Sequence, residues 1–161
     1  MSEISLNGTL VVAPTPYGRG VFAHKAFRPG DLILCFKGPV VAEELLPEPY
    51  HAVSDLYLQI GERLFLGPSG EVDDYVNHSC NPSAGIREVG DEFWLVAIKP
   101  IGPNDEVTFD YSTTMDDDGW QMSCRCGSSE CRTVIRDYKR LPANIQQKYL
   151  ELGIIPRFLS S

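Results

Sequence analysis

The chain has 161 residues, of which 43% are hydrophobic and 22% are charged, and its net charge is −8 at pH 7. A chain of this length suits one domain that buries roughly 70% of its unfolded surface, so it needs no metal merely to form a core. The acidic charge argues against a nucleic-acid binder, because binding of phosphates needs a basic surface. It is equally compatible with a basic partner and with simple solubility.

The cysteines and the first residues predict an intracellular protein, either cytoplasmic or nuclear. Met1-Ser2-Glu3-Ile4 lacks the basic region and the long apolar run of a signal peptide. No stretch approaches the roughly twenty apolar residues of a membrane span. Five cysteines without a secretion signal indicate a reducing compartment.

Short apolar runs between prolines and glycines predict a mainly β fold. The predicted strands cover residues 10–13, 20–24, 32–36, 56–60, 63–66, 84–89, 93–98 and 106–109. Gly61-Glu62 and Gly90-Asp91 each separate two of these runs, which is typical of β-hairpins.

Helix is predicted to be scarce. Residues 43–52 suggest a helical turn that Pro47 and Pro49 interrupt. Near the C-terminus, apolar residues recur at helical spacing, namely Leu141, Ile145, Tyr149 and Leu152. Pro142 suits the first turn of this helix and Gly153 suits its end. The apolar stripe either docks on the body of the domain, which we expect, or binds a partner.

The first motif, Gly18-Arg19-Gly20, places two glycines around one residue, so that the backbone can approach a ligand closely. On its own it is also compatible with an ordinary turn. It is not the dinucleotide-binding fingerprint, because the third glycine is missing and a predicted strand follows it.

The second motif, Asn77-His78-Ser79-Cys80-Asn81-Pro82, is a run of polar and turn-forming residues. Adjacent amide and imidazole groups can bind a polar ligand. The alternative is an Asx-rich turn that a structural metal holds in place.

The third motif is Glu106-Val107-Thr108-Phe109-Asp110-Tyr111-Ser112. Phe109 and Tyr111 alternate with Asp110, so on a strand both rings face the same side. The rings belong either to the core or to an aromatic channel whose polar end is the Tyr111 hydroxyl.

The fourth motif, C-R-C-G-S-S-E-C, contains Cys124, Cys126 and Cys131, and Cys80 lies far upstream. Four thiolates form a closed tetrahedral site, which predicts a structural zinc ion that does not activate water. Disulfides are the alternative, but Cys124 and Cys126 are too close in sequence for an easy mutual bridge.

In this order the four motifs resemble the SET-domain family of protein lysine methyltransferases, over residues of about 10–132. The resemblance implies small β-sheets with a pseudoknot, few short helices, a zinc-bound post-SET segment and a terminal helix. It divides the chain into a SET domain at 1–115, a post-SET zinc module at 116–132 and a helical extension at 133–161. We expect no cysteine-rich pre-SET module before the SET domain of this chain, because only Cys35 lies upstream of Cys80.

The resemblance also implies methyl transfer from S-adenosylmethionine to the ε-amine of a lysine in a protein substrate, such as a histone or another basic tail. The residues implied to hold the cofactor are Gly18, Arg19, Gly20, Asn77, His78, Tyr111 and Trp120. Tyr111 is the implied active-site tyrosine, and Phe109 is implied to influence how many methyl groups are added.

The chain departs from the family at Phe36, where the family often has a tyrosine. Phe36 is expected to form a wall of the lysine channel, but without a hydroxyl group. This leaves a second interpretation, a SET-like module that binds lysine-bearing tails without modifying them. A purely structural zinc protein is a third interpretation, and it leaves the pairs Asn77-His78 and Phe109-Tyr111 without a role.

Overall fold

A computed structural model describes residues 5–50, 54–117 and 119–160. Within these residues the protein is mainly β, as the sequence predicts. The strands are β1 (Ser5–Leu6), β2 (Leu10–Thr15), β3 (Gly18–Ala23), β4 (Leu32–Cys35), β5 (Val40–Ala42), β6 (Leu58–Gly61), β7 (Leu64–Leu66), β8 (Asn77–His78), β9 (Ala84–Val89), β10 (Glu92–Ala97), β11 (Glu106–Phe109), β12 (Gln121–Ser123) and β13 (Val134–Arg136). The α-helices are α1 (Ala143–Glu151) and α2 (Arg157–Ser160). Short 3-10 helices cover Glu43–Leu45, Ser54–Leu56, Val72–Tyr75, Tyr111–Thr114 and Tyr138–Arg140.

The strands form four small sheets. Their orders are β1-β2-β3-β11-β8, β4-β10-β9, β5-β7-β6 and β12-β13. β8 pairs with β11 in parallel, with Asn77 beside Thr108 and His78 beside Phe109. This pairing places the second motif directly against the third.

The eight predicted strands all correspond to observed strands, with shifts of up to two residues at most of their ends. The strand predicted at 56–60 begins at Leu58, because Ser54–Leu56 forms a 3-10 helix. Both predicted hairpins are confirmed, and their turns use positive φ angles at Arg63 (59°) and Gly90 (61°). β1, β5, β8, β12 and β13 were not predicted, because two or three residues carry no measurable periodicity.

The main core lies between the larger sheets. Its fully buried members include Leu10, Val21, Ala84, Ile86, Leu95 and Val107. Phe109, Tyr111, Trp120 and two of the clustered cysteines, Cys80 and Cys124, belong to the same cluster. These five candidate site residues are therefore held by the core and not by surface loops.

The C-terminal segment packs on the body through a second cluster. Its buried members are Val96, Tyr138, Leu141, Tyr149 and Ile154. Because Val96 belongs to β10, this cluster confirms that the helical stripe docks on the domain. Pro142 is the N-cap of α1, and Gly153 adopts a φ of +70° just after its end, as glycine does at a helix C-terminus.

Three smaller observations complete the fold. In the predicted turn at 43–52 a 3-10 helix forms at Glu43–Leu45, and positions 51–53 lie outside the described residues. α2 was not predicted. Within the described ranges neither α-helix is long and apolar enough to cross a membrane.

Gly85→Ala tests how closely the C-terminal segment packs. A Cβ at Gly85 in β9 would lie 2.6–2.7 Å from three side-chain atoms of Ile154. We expect the free energy of unfolding, measured by urea denaturation, to fall by about 1–3 kcal/mol. Gly119→Ala is the control, because a Cβ there meets no atom within 4 Å. Equal stability of the two variants would contradict close packing between β9 and Ile154.

Candidate functional site

The Gly18-Arg19-Gly20 strand and Asn77 form one unit. The Asn77 side-chain amide donates to the carbonyl oxygen of Arg19 (2.8 Å) and to Glu106 Oε1 (3.0 Å). A Cβ at Gly20 would collide with both Glu106 Oε1 and Asn77 Nδ2. A side chain at position 20 would therefore force the side chains of Glu106 and Asn77 to move.

The outer side of this unit is open. Gly18 and Arg19 are exposed, and a Cβ at Gly18 would meet no atom within 4 Å. Asn77 is half-buried, and its Oδ1 accepts no hydrogen bond from the described residues. Main-chain groups and an amide oxygen at an open strand end can bind a small polar ligand.

The His78 ring links the site to the cysteines. Its Nδ1 accepts a hydrogen bond from the Tyr111 N–H (3.0 Å), so the ring proton lies on Nε2, which is 3.3 Å from Cys80 Sγ. Burial lowers the pKa of His78 to about 4, although Asp110 lies nearby, so the ring is neutral at pH 7. Both ring nitrogens are therefore engaged within the protein, and the predicted contact of His78 with a cofactor stays a prediction.

Aromatic rings from two elements meet beside this unit. The centroids of Phe36 and Phe109 are 5.9 Å apart in an edge-to-face arrangement, and those of Phe109 and Tyr111 are 4.9 Å apart. Phe109 and Tyr111 are both buried. All three rings line the same groove, although Tyr111 lies in the 3-10 helix that follows β11 and not on the strand.

The Tyr111 hydroxyl is fixed at the groove. It donates to the carbonyl oxygen of Val76 (2.6 Å), and Val76 lines the groove as well. Burial raises the pKa of Tyr111, with Asp55 and Glu106 adding to the shift. The hydroxyl therefore keeps its proton, and it can orient a ligand by hydrogen bonding but does not act as a base.

Carboxylates line the same groove. Asp73 and Asp74 accept hydrogen bonds from Ser69, and these bonds hold the loop before the Val72–Tyr75 helix. Asp55 is exposed. Lys37 also lines the groove, so three carboxylates are set against one cation. The lining thus combines apolar side chains with a net negative charge, which suits a long side chain that ends in a positive charge.

Trp120 lines this groove together with Tyr111. It is 7% exposed, and its indole Nε1 has no hydrogen-bond partner among the described residues. A buried donor without an acceptor is uncommon in native proteins. Its predicted place beside a cofactor stays a prediction.

The four clustered cysteines fit a zinc ion. Their Sγ atoms all lie within 4.8 Å of one another, and those of Cys80 and Cys124 are 3.8 Å apart. Tetrahedral zinc with bonds of about 2.3 Å separates its sulfur ligands by about 3.8 Å. All five cysteines of the chain are free, so the disulfide alternative does not hold. The Arg132 N–H (3.4 Å) and His78 Nε2 both approach Cys80 Sγ, as expected for groups that support a thiolate ligand.

Sequence reasoning missed the role of Asp110. This carboxylate is 1% exposed, and its Oδ1 accepts hydrogen bonds from the Arg132 guanidinium (2.8 Å) and the Ser112 N–H (3.1 Å). Its Oδ2 accepts a hydrogen bond from the Tyr149 hydroxyl (2.9 Å). The sequence offered one signal, since Asp110 lies between Phe109 and Tyr111, which were expected to be inward-facing. A carboxylate between two buried rings is expected to be buried as well, and it then needs hydrogen-bond donors from elsewhere in the fold.

Comparison with known proteins agrees with this geometry. The SET domain family model matches residues 18–112. The histone-lysine N-methyltransferase ATX2 of Arabidopsis thaliana is 26% identical over an alignment of 151 positions that covers 84% of this chain. The probable histone-lysine N-methyltransferase lin-59 of Caenorhabditis elegans is 28% identical over an alignment of 161 positions that covers 92% of this chain. The chain spans about 14% of the length of ATX2 and about 12% of that of lin-59.

The fold resembles that of a solved structure. The crystal structure of KRYPTONITE in complex with mCHH DNA, H3(1-15) peptide and SAH matches with a TM-score of 0.63 at 21% sequence identity. The match covers 81% of this chain and 30% of that chain. This similarity shows that the chain has the SET fold.

Cys126→Ser tests the zinc site. We expect the variant to lose its bound zinc, because three thiolates hold the ion less tightly than four, while the main core keeps a cooperative melting transition. Zinc is measured by mass spectrometry of the purified protein and unfolding by circular dichroism. Cys35→Ser is the matched control, since Cys35 lies outside the cluster, and it should retain zinc. Loss of all cooperative melting in Cys126→Ser would show that the metal holds the whole domain.

Proposed function

Because this chain belongs to the SET-domain family, we propose that it is a protein-lysine N-methyltransferase that uses S-adenosylmethionine. The observation that carries the proposal is the position of Tyr111. Its ring lines the aromatic groove, and its amide is hydrogen-bonded to His78, which is the neighbour of Asn77. A lysine in the groove and a ligand at the open strand end would therefore meet at one residue.

The residues at the strand end fit the cofactor. S-adenosylmethionine has a carboxylate, an amine and ribose hydroxyls. These groups match the exposed main chain of Gly18 and Arg19 and the Oδ1 of Asn77, which has no partner within the described ranges. Gly20 keeps this strand close to Asn77. SAH in the KRYPTONITE structure supports the same choice, because it differs from S-adenosylmethionine by the transferable methyl group. When bound, the cofactor supplies a methyl group activated by a sulfonium.

The aromatic residues would prepare the lysine. A free lysine amine has a pKa of about 10.4 and must be neutral to accept a methyl group. The apolar walls formed by Phe36 and Phe109 disfavour the charged form. The Tyr111 hydroxyl, which stays protonated, orients the amine. The gain in rate then comes mainly from alignment and desolvation, and effective molarities of about 10⁵ M or more are available from positioning.

The zinc ion would have a structural role. Four thiolates fill its coordination shell, so no position remains for a reactive water. Cys80 belongs to the body of the domain, and the other three ligands follow Trp120. The ion would therefore hold the segment that carries Trp120 against the groove. The proposed division at 1–115, 116–132 and 133–161 follows this arrangement, although β12 pairs with β13 across the second boundary.

The substrate we propose is a lysine in a basic protein segment, such as a histone tail. The net negative lining of the groove and the net charge of −8 would attract such a segment. ATX2 and lin-59 are named as histone-lysine N-methyltransferases, and KRYPTONITE was solved with an H3(1-15) peptide. A histone substrate would place the protein in the nucleus. The same acidic charge argues against direct contact with nucleic acid.

Transfer of a labelled methyl group tests this function. The purified chain is incubated with radiolabelled S-adenosylmethionine and core histones, or with a library of basic peptides, and modified lysines are located by mass spectrometry.

A second candidate, a module that binds lysine-bearing tails without modifying them, is favoured by Phe36, which adds no hydroxyl to the groove. Peptide binding without any methyl transfer would support that module and contradict the enzyme.

Tyr111→Phe should lower the turnover number by about 100-fold, because it removes a hydroxyl oxygen that is fixed by its bond to Val76 and can accept a hydrogen bond from the substrate amine. The zinc content should not change, since the ring and the thiolates remain. The rate is measured with saturating cofactor and peptide. Tyr138→Phe is the control, because Tyr138 belongs to the second cluster and does not line the groove. An unchanged rate in Tyr111→Phe would remove this hydroxyl from the mechanism.

Phe109→Tyr should shift the products toward monomethyl-lysine. A hydroxyl at this buried position holds a water in the space that a larger product needs. Products are counted by mass spectrometry at equal extents of reaction. Phe158→Tyr makes the same change in α2, outside the groove, and should leave the product ratio as it is. Identical ratios in wild type and Phe109→Tyr would refute this role of Phe109.

A further inference from the structure

The buried Asp110 carboxylate connects three segments that are distant in sequence. Asp110 follows β11 and precedes Tyr111. Arg132, which is 22 residues away, donates to its Oδ1 from beside Cys131 of the four-cysteine cluster. Tyr149, which is 39 residues away in α1, donates to its Oδ2. The side chains of Asp110 and Tyr149 are both almost completely buried.

Two of the donors to this carboxylate, Arg132 and the Ser112 N–H, connect it to other parts of the site. The Arg132 guanidinium lies 3.2 Å from Ser112 Oγ, and the Arg132 N–H points to Cys80 Sγ. The Ser112 N–H, which donates to Asp110 Oδ1, belongs to the Tyr111–Thr114 helix. The orientation of this one carboxylate therefore affects both the turn that carries Tyr111 and the segment that follows the zinc cluster.

The Tyr149 hydroxyl is the donor to Asp110 Oδ2. Burial and the neighbouring Asp110 carboxylate raise the pKa of Tyr149, so the hydroxyl keeps the proton that it donates. Without this donor, a buried carboxylate oxygen would lose its partner, and such a group is costly to leave unpaired. The carboxylate would then rotate or recruit water, and Arg132 and Ser112 would move with it.

We propose that Tyr149 of α1 is a positioning residue for methyl transfer, because its hydroxyl fixes the Asp110 carboxylate and thereby the turn that carries Tyr111. Tyr149 lies outside residues 18–112, which match the family model. The helix α1 then supports the geometry of the active site, in addition to burying hydrophobic surface of the domain. The inference rests on the proposed function, but its effect on the turn can be measured without any activity.

Tyr149→Phe tests the inference, because it removes the hydroxyl and keeps the ring. We expect the turnover number to fall about tenfold, with the KM for the peptide within about twofold of wild type, since a small misplacement of Tyr111 affects the chemical step more than binding. We also expect the amides of residues 111–114 to exchange with deuterium about tenfold faster, in the absence of cofactor and substrate. Both measurements are made well below the melting temperature of each protein.

Two variants separate positioning from general stability. Tyr138→Phe removes a hydroxyl from the same C-terminal segment, and Ile154→Val weakens the packing of that segment without touching Asp110. Both should leave the turnover number and the exchange of residues 111–114 as in wild type, even where Ile154→Val lowers the melting temperature. If Tyr149→Phe melts near the assay temperature, the comparison is made in trimethylamine N-oxide, which stabilises folded proteins.

Arg132→Lys provides a second measurement on the same carboxylate. If Tyr149 and Arg132 act through Asp110, the double variant should exchange at residues 111–114 no faster than the faster single variant. If the increase in exchange rate in the double variant equals the product of the two single increases, Tyr149 and Arg132 do not act through the same carboxylate, and this inference is overturned.

The outcomes for the two proposals are distinct. Unchanged exchange at residues 111–114 in Tyr149→Phe overturns the positioning role, whatever the activity. Faster exchange with an unchanged turnover number also overturns it, because the turn would then move without consequence for the chemistry. A wild-type chain that transfers no methyl group to any substrate overturns the proposed function, and exchange then decides alone whether Tyr149 holds the turn.

Discussion

The parallel pairing of β8 with β11 is the constraint on which the candidate site depends. It consists of two residue pairs, Asn77 with Thr108 and His78 with Phe109, and the Ser79 N–H extends it to the carbonyl oxygen of Phe109 (3.1 Å). Parallel strands need a long connection, which the β9–β10 hairpin and its flanking loops provide here. Asn77 faces the strand of the first motif, and Cys80 follows three residues later. The short pairing therefore fixes the open strand end, the aromatic groove and the first thiolate in one arrangement.

The site is stabilised by hydrogen bonds whose partners come from distant parts of the chain. The neutral His78 ring joins the Tyr111 amide to Cys80, and Asp110 joins the same turn to Arg132. Buried polar networks of this kind specify a single geometry when every member is satisfied. Under the proposed function the groove aligns two reacting groups, and such rigidity is then an advantage, because errors of about 1 Å reduce rates strongly.

Much of this arrangement follows from local sequence patterns. Strand positions, both hairpins and α1 could be predicted, because alternation, turn glycines and helical spacing are local properties. The cysteine cluster could be predicted because thiolate spacing is itself a signature of zinc. The two-residue β8 could not be predicted, since it exists only through its partner β11. The contacts of Asp110 with Arg132 and Tyr149 likewise depend on the tertiary fold, and no local pattern encodes them.

The chain has two tryptophans, and the structure treats them differently. Trp94 lies in β10, and its indole N–H donates to Glu92 on the surface (3.3 Å). The indole N–H of Trp120 is buried at the groove and has no hydrogen-bond partner in the part of the chain that the structure describes, so its emission is sensitive to a ligand that enters there. Replacing Trp94 by phenylalanine would leave Trp120 as the one tryptophan. Its fluorescence would then indicate whether the groove is occupied, without a label or a coupled assay.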